Sequence, residues 1–135
     1  MQFGELESLA GVGAWELDAT RGKLRLSALA AKLLGFQAAG DAPIEVDVPE
    51  LVTRALQTEQ PRVMSIFSDA ERAQQSNLEF EMSARPGGSS WIWIRGHKPP
   101  GADGESSSRA HGIVQDITRH RVAQSQAAEL ANRDF

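Results

Sequence analysis

Candidate side chains for a reaction centre in this sequence include three histidines, a pair of neighbouring glutamates and a pair of adjacent serines. The histidines are His97, His111 and His120. None of them has an acidic residue or a second histidine three or four positions further along a helix, the spacing that brings metal ligands together. Glu79 and Glu81 share one face of an alternating segment, which is typical of a solvated strand, and the serines at 89–90 have no histidine nearby. We therefore predict no metal site and no catalytic residue.

Asp116 and Thr118, with Ile117 between them, are the strongest functional candidates. Short polar side chains of these types cap helices and bond nearby backbone groups. The alternating segment before them predicts a strand, and the segment after them predicts a helix. A cap at this position would couple the strand to the helix, so its structural role and its functional role are the same.

Composition narrows the function classes. The chain has 135 residues, a formal net charge of −4 and a hydrophobic fraction of 41%, values typical of one soluble globular domain. Its basic residues form no cluster, so no nucleic-acid partner is expected. No apolar run approaches the roughly 20 residues of a membrane span, so we expect a cytoplasmic domain without membrane contact in this segment. The absence of cysteine excludes disulfides, thiolate metal ligands and a cysteine nucleophile.

The hydrophobic pattern predicts an antiparallel sheet with helices on one face. Two alternating segments, residues 12–19 and 23–26, predict a hairpin whose second strand resembles an edge strand. After a loop at residues 37–44, helical spacing predicts short helices, one of them beginning at Pro61 with an apolar stripe that reaches Ala70. Three strands and a terminal helix follow. Because two strands, a helical insert and three strands do not make a parallel sheet, the predicted class is α+β.

Aromatic and aliphatic residues at regular spacing mark candidate buried or interface positions. Trp15 lies in the first predicted strand, and Trp91 and Trp93 alternate in a later one. This placement is typical of core or interface packing, and stacking against a ligand is the alternative. Residues 2–10 predict a short amphipathic helix. Its apolar stripe consists of Phe3, Leu6 and Leu9.

Five short motifs follow one another along the chain. The first four are Gly13-Ala14-Trp15-Glu16-Leu17-Asp18, Leu33-Leu34-Gly35-Phe36, Leu78-Glu79-Phe80-Glu81 with Arg85, and Trp91-Ile92 after a glycine turn. The fifth is Gly112-Ile113-Val114-Gln115-Asp116-Ile117-Thr118. In this order and at these spacings, residues 6–121 resemble a PAS domain of the type called PAS fold 3. The family's His-Pro-x-Asp segment is missing, and the residues at that place are Val48-Pro49-Glu50.

The resemblance implies a five-stranded antiparallel sheet in the order 2-1-5-4-3, with the helices of the middle segment on one face around a small cavity. It divides the chain into an N-terminal cap helix (residues 1–11), a PAS core (12–118) and the start of a C-terminal signalling helix (119–135). The residues assigned to the pocket or core are Trp15, Leu17, Leu33, Phe36, Phe67, Phe80, Trp91, Trp93, Ile113 and Gln115.

The same resemblance implies a non-catalytic sensory domain of a bacterial signal-transduction protein. Asp116, Ile117 and Thr118 would relay a signal to an output domain in the same protein, either a diguanylate cyclase or a histidine kinase. The signal would come from a small ligand or from a partner. The alternative is a ligand-free homodimerisation module, and the candidate dimer interface in a homodimer is the stripe Phe3, Leu6 and Leu9.

Two cofactors of PAS domains do not fit this sequence. A haem-binding PAS domain carries its axial histidine on the middle helix, and residues 61–77 contain no histidine. The flavin photosensors of this fold form an adduct with a cysteine, which this chain lacks. Haem is therefore not expected, thiol-adduct flavin chemistry is excluded, and a ligand, where one binds, is an unidentified small molecule.

Overall fold

The computed structural model describes residues 11–37, 40–85, 88–97 and 108–131, which form six strands and five helices. The strands are β1 (Val12–Asp18), β2 (Lys23–Leu26), β3 (Ile44–Asp47), β4 (Asn77–Arg85), β5 (Gly88–Gly96) and β6 (Arg109–Asp116). The helices are α1 (Ala28–Leu33), α2 (Val48–Val52), α3 (Gln60–Phe67), α4 (Ala70–Gln74) and α5 (Thr118–Ala131). The predicted cap helix, with the interface candidates Phe3, Leu6 and Leu9, lies outside the described residues.

All six strands belong to one antiparallel sheet with the order β3-β2-β1-β6-β5-β4. The α+β class is confirmed. If β3 is set aside, the order of the remaining five strands is the predicted one, in which the first two strands and the last three pair through β1 and β6. The predicted number of five strands is wrong, because β3 adds a sixth at the edge next to β2.

The additional strand β3 begins at Ile44, the last residue of the segment predicted as a loop, and continues to Asp47. It pairs with β2 over four residues on each strand, so that β2 is an inner strand and not the predicted edge. Val46 is buried beside Leu24, while the ammonium of Lys23 bonds the carboxylate of Asp47 on the other side. Burial of one face and opposite charges across the other make this short pairing favourable.

Helices α1 to α4, which we call the helical cover, lie on one face of the sheet. Ser27 begins α1, and its hydroxyl accepts a hydrogen bond from the Ala30 amide. The single helix predicted from Pro61 is two helices, because the chain is extended at Asp69 and the carboxylate there accepts from the Glu71 amide. This cap starts α4 in a new direction.

The core lies between the helical cover and the sheet. The ring of Phe67 on α3 meets that of Trp15 on β1 edge to face, with 5.2 Å between ring centroids. Phe80 and Met82 on β4 are fully buried in the same cluster. Among the described residues, Ser76 is the one buried polar residue, and its hydroxyl donates to the carbonyl of Ala73.

Two glycines allow the helical cover to approach the sheet backbone closely. A Cβ atom at Gly13 of β1 would lie 2.6 Å from the backbone nitrogen of Ala30 in α1. A Cβ atom at Gly96 of β5 would lie 2.2 Å from the carbonyl oxygen of Gln74 in α4. Both contacts are far below van der Waals distance, so these positions require a residue without a side chain.

The outer edge of β4 is bonded to the segment that connects α2 with α3. The Leu56 amide donates to the Glu81 carbonyl at 3.0 Å, and the Glu81 amide donates to the carboxylate of Glu59 at 3.3 Å. The Arg62 guanidinium reaches the Glu79 carbonyl at 3.4 Å. Main-chain groups along this edge therefore already have partners within the domain.

Candidate functional site

The candidate site is the junction at which β6 passes into α5. One carboxylate oxygen of Asp116 accepts two hydrogen bonds from Thr118, at 2.9 Å from its amide and at 2.6 Å from its hydroxyl. These bonds close a tight turn over three residues and begin the helix, since the first amides of a helix have no partner within it. The sequence places the same two residues at this junction.

The junction is also bonded to the neighbouring strand β5 at Trp91. The Trp91 amide donates to the Thr118 hydroxyl oxygen at 2.9 Å, and the Trp91 carbonyl accepts from the Ile117 amide at 2.9 Å. Together these bonds continue the β5–β6 ladder one step beyond the last paired residue of β6, Asp116. The start of α5 is therefore bonded directly to the backbone of β5.

Arg121 makes a further contact with this region that the sequence reasoning missed. Its guanidinium lies 3.8 Å from the centroid of the Trp91 ring, and one of its nitrogens is 3.5 Å from a carboxylate oxygen of Glu79 on β4. A signal for it exists in the sequence, because Arg121 follows Thr118 by one helical turn and so shares its face. Finding it also requires the strand register that puts Trp91 beside that turn.

Beyond this first turn, α5 is surrounded by solvent. Residues 122–130 are all exposed, among them Val122 and Leu130 with 50% and 57% of their surface accessible. The packing of α5 is against β5. Since the helix has 14 residues and a length of about 20 Å, most of it has no support from the sheet.

The structure divides the ten residues assigned to the pocket or core between two faces of the sheet. Five are buried under the helical cover, namely Trp15, Leu17, Phe36, Phe67 and Phe80, and Leu33 of α1 is half-buried. The other four are half-buried on the opposite face, namely Trp91, Trp93, Ile113 and Gln115. On β5 and β6 the covered face consists instead of Ile92, Ile94, Ala110, Gly112 and Val114.

The covered face of β6 has small residues because the Trp15 indole lies across it. A Cβ atom at Gly112 would be 2.2 Å from a ring carbon of Trp15, and the indole nitrogen donates to the Ile113 carbonyl at 2.9 Å. The indole therefore takes the space of a side chain at position 112. On the other face, the Trp93 indole donates to the side-chain oxygen of Asn77 at 2.6 Å.

Solved structures of similar fold come from proteins that are named as sensors. The sensory box histidine kinase/response regulator of Burkholderia thailandensis is 23% identical, with a TM-score of 0.62 over 97% of this chain and 95% of that chain. The N-terminal domain of a diguanylate cyclase with PAS/PAC sensor from Marinobacter aquaeolei is 16% identical, with a TM-score of 0.59 over 82% of this chain and 98% of that chain. The chain has the PAS fold.

A likeness in sequence to one curated protein accompanies the likeness in fold. No protein-family model matches the chain. The non-motile and phage-resistance protein of Caulobacter vibrioides is 27% identical over 128 residues, which are 92% of this chain. The chain spans only 14% of the length of that curated relative. The stretch that matches this chain is therefore a small part of a much longer protein.

The described part of this PAS fold contains no group of three histidine, cysteine, aspartate or glutamate side chains close enough to bind a metal ion. His97, His111 and His120 are all exposed. None of the described helices is both long enough and apolar enough to cross a membrane. The interior is filled by large apolar side chains, so a ligand there would have to displace them or find room between them.

Proposed function

We propose that this chain is a sensory domain that passes a change in its sheet through Asp116, Ile117 and Thr118 to α5 and to an output domain in the same protein. The observation that supports the proposal most strongly is the pair of hydrogen bonds that the Trp91 backbone makes with the Thr118 hydroxyl and the Ile117 amide. They tie the start of an exposed helix to β5, the strand beside β6 in the sheet. A small movement of β5 therefore changes the position of α5.

The attachment of α5 by a single turn suits such a relay. A change of state needs two arrangements that differ by only a few kcal/mol. A helix with an extensively buried face has one arrangement that is far more stable than all others. The exposed residues 122–130 allow α5 to occupy a second position at low cost in buried surface.

The kind of output domain is part of the proposal. Structures of similar fold come from proteins titled as a histidine kinase/response regulator and as a diguanylate cyclase, which supports one of these two output domains. The domain itself is proposed to be non-catalytic, homodimeric and cytoplasmic. The output domain is proposed to belong to the same protein and to be reached through the signalling helix at residues 119–135.

The input is proposed to be a partner or a small apolar ligand. The interior offers no buried charged residue among the described positions, and its one buried polar residue, Ser76, already bonds Ala73. The large apolar side chains that the core contains, such as Phe67 and Phe80, suit a second candidate function, a ligand-free homodimerisation module. Native mass spectrometry of the freshly purified domain separates the two, because a ligand adds its own mass and an empty domain shows the chain mass alone.

The relay is tested with Asp116→Ala in the protein that contains this chain. The substitution removes both bonds from Thr118, and we expect it to weaken the start of α5 by about 1 kcal/mol. Amides at residues 119–130 should exchange faster, and the cyclase or kinase output should lose its response. Asp69→Ala is the matched control, because it removes a similar cap from α4.

The two readouts distinguish the outcomes of this experiment. A changed response with Asp116→Ala and an unchanged one with Asp69→Ala supports the relay. Faster exchange at residues 119–130 together with an unaltered output would mean that the junction holds the helix but carries no signal.

A further inference from the structure

The first turn of α5 is attached to the sheet at two separate points. The first is the junction itself, where Thr118 bonds Trp91 and Asp116 at the very start of the helix. The second is Arg121, which lies one turn further along and contacts the Trp91 ring of β5 and the Glu79 carboxylate of β4. Attachment at two separate points fixes the orientation of α5 relative to the sheet, whereas attachment at one point fixes only the position of its first residue.

The bonds at Thr118 leave the direction of α5 undetermined. They lie at the N-terminus of the helix, so the helix can tilt or rotate about them without breaking them. Arg121 is at the same face as Thr118, because three residues are close to one full turn of 3.6 residues. Its contacts with two different strands restrict tilt along the sheet as well as rotation.

We propose that Arg121 is the positioning residue that sets the direction of α5 against the sheet, and that its contacts with Trp91 and Glu79 are made in one signalling state and released in the other. The first half of this inference concerns the isolated chain. The second half rests on the proposed relay function. In this proposal, Asp116 and Thr118 determine the residue at which α5 starts, and Arg121 determines the orientation of its axis against the sheet.

The exposure of the Arg121 contacts fits a reversible role. The side chains of Arg121 and Glu79 are 37% and 47% exposed, so water and salt weaken their ion pair. The Trp91 ring is half-buried, and an arginine stacked on such a ring beside solvent shifts an equilibrium by a factor of only a few. The contacts therefore favour one direction of α5 by roughly 3- to 10-fold in population, a bias that a partner or ligand can overcome.

The absence of cysteine from the chain makes the direction of α5 measurable. Leu130→Cys introduces a single thiol at an exposed position near the end of the helix, and a nitroxide attached there reports the mobility of that end. In this background, Arg121→Ala should increase nitroxide mobility and accelerate exchange of the α5 amides about 3- to 10-fold. The matched control is Arg119→Ala, which removes the same charge from an exposed position on another side of α5.

A conservative variant separates positioning from simple loss of charge. Arg121→Lys keeps the positive charge near Glu79 but loses the planar guanidinium that stacks on Trp91, so its mobility should lie between those of wild type and Arg121→Ala. Glu79→Gln should reduce the salt dependence of the mobility, and Glu81→Gln on the same strand face should leave it intact. The midpoint of thermal unfolding should be the same for Arg121→Ala and Arg119→Ala, because the core is untouched.

The outcomes distinguish this inference from the proposed function. Equal mobility and exchange in Arg121→Ala and Arg119→Ala would overturn the positioning role, whatever Asp116→Ala does to the output. A more mobile helix with a normal response in Arg121→Ala, while Asp116→Ala abolishes the response, would overturn the release of the contacts during signalling. If α5 is more mobile in both Arg121→Ala and Asp116→Ala while the output response of both variants is normal, the positioning role is supported and the relay is contradicted.

Discussion

The helical cover and α5 are attached to the same sheet in different ways. In the cover, α1 and α4 approach the sheet so closely that Gly13 and Gly96 are required beneath them, and α3 packs Phe67 against Trp15. In α5, the hydrogen bonds and the stacking contact with the sheet come from Thr118 and Arg121 in the first turn, and residues 122–130 are exposed. The difference shows where the fold permits movement. If the proposed relay is correct, a change in the sheet displaces α5 more easily than it displaces the cover.

One type of contact occurs in both regions with different surroundings. Arg54 lies 3.9 Å from the centroid of the Phe36 ring and donates to the Gly35 carbonyl at 2.7 Å. Phe36 is buried, so this contact closes the end of α1 within the cover. Arg121 makes the same stacking contact on a half-buried ring beside an exposed carboxylate. The same chemistry therefore fixes a helix in one region and only directs a helix in the other.

The largest effect that tests this comparison is expected from Phe67→Ala. The substitution removes a fully buried ring and its edge-to-face contact with Trp15, and it leaves a cavity in the core. We expect the free energy of unfolding to fall by about 3–5 kcal/mol. Urea unfolding followed by tryptophan fluorescence measures this loss. A loss below about 1 kcal/mol would show that the cover is loosely packed and that the comparison is mistaken.

An intermediate effect is expected from Gly13→Ala. The added methyl group would lie 2.6 Å from the α1 backbone at Ala30, so α1 must move away from β1. We expect a loss of about 1–3 kcal/mol in the free energy of unfolding, with faster amide exchange in α1 and not in α5. If exchange rises in α5 and not in α1, the cover transmits movement as readily as the junction does.

The smallest effect concerns the ion pair between Lys23 on β2 and Asp47 at the end of β3. This pair lies on the side of the sheet opposite the buried Leu24 and Val46. Lys23 holds the pKa of the Asp47 carboxyl below its ordinary value, and Asp47 raises the pKa of the Lys23 ammonium. The Asp47 contribution to stability is present above its unfolded pKa of about 3.9 and is lost as the pH falls through the lowered folded value. The Lys23 contribution is present below about pH 10.4 and is lost as the pH rises through the raised folded value.

The measurement for this pair is the pH dependence of unfolding in wild type and Asp47→Asn. Both groups are exposed, so the expected difference is small and decreases with added salt. The difference should be largest near neutral pH and should disappear in strong acid. An identical pH profile for the two proteins would show that the pair contributes nothing to the attachment of β3.

The sequence predicted most of the fold because strong alternation and glycine turns mark the elements that pair within the sheet. The strand β3 was missed because only two apolar residues, Ile44 and Val46, alternate in it, and Pro43 before them is typical of a loop. The break between α3 and α4 was missed because the apolar stripe continues across Asp69 to Ala70. Local capping by Asp69 outweighs the periodicity there.

The faces of β5 and β6 are harder to predict, for a physical reason. Alternation alone does not select a face when both faces are bulky, as in Trp91 to Ile94. On β6, hydrophobicity favours Ile113 over Gly112, yet Gly112 lies on the covered face because the Trp15 indole fills that space. The junction could be predicted because its residues are adjacent in sequence. The Arg121 contacts could not be predicted, because they depend on how β5 is aligned with β6.

The hydrogen bonds at the outer edge of β4 affect whether two copies of this domain can pair through their sheets. The amide and carbonyl of Glu81 and the carbonyl of Glu79 bond Leu56, Glu59 and Arg62, so these three main-chain groups are already occupied within the domain. At the opposite edge, β3 is four residues long and carries Glu45 and Asp47. Short, charged edges discourage the growth of a continuous sheet between molecules. Neither the short, charged edge at β3 nor the bonded part of the β4 edge therefore favours the addition of a strand from a second copy.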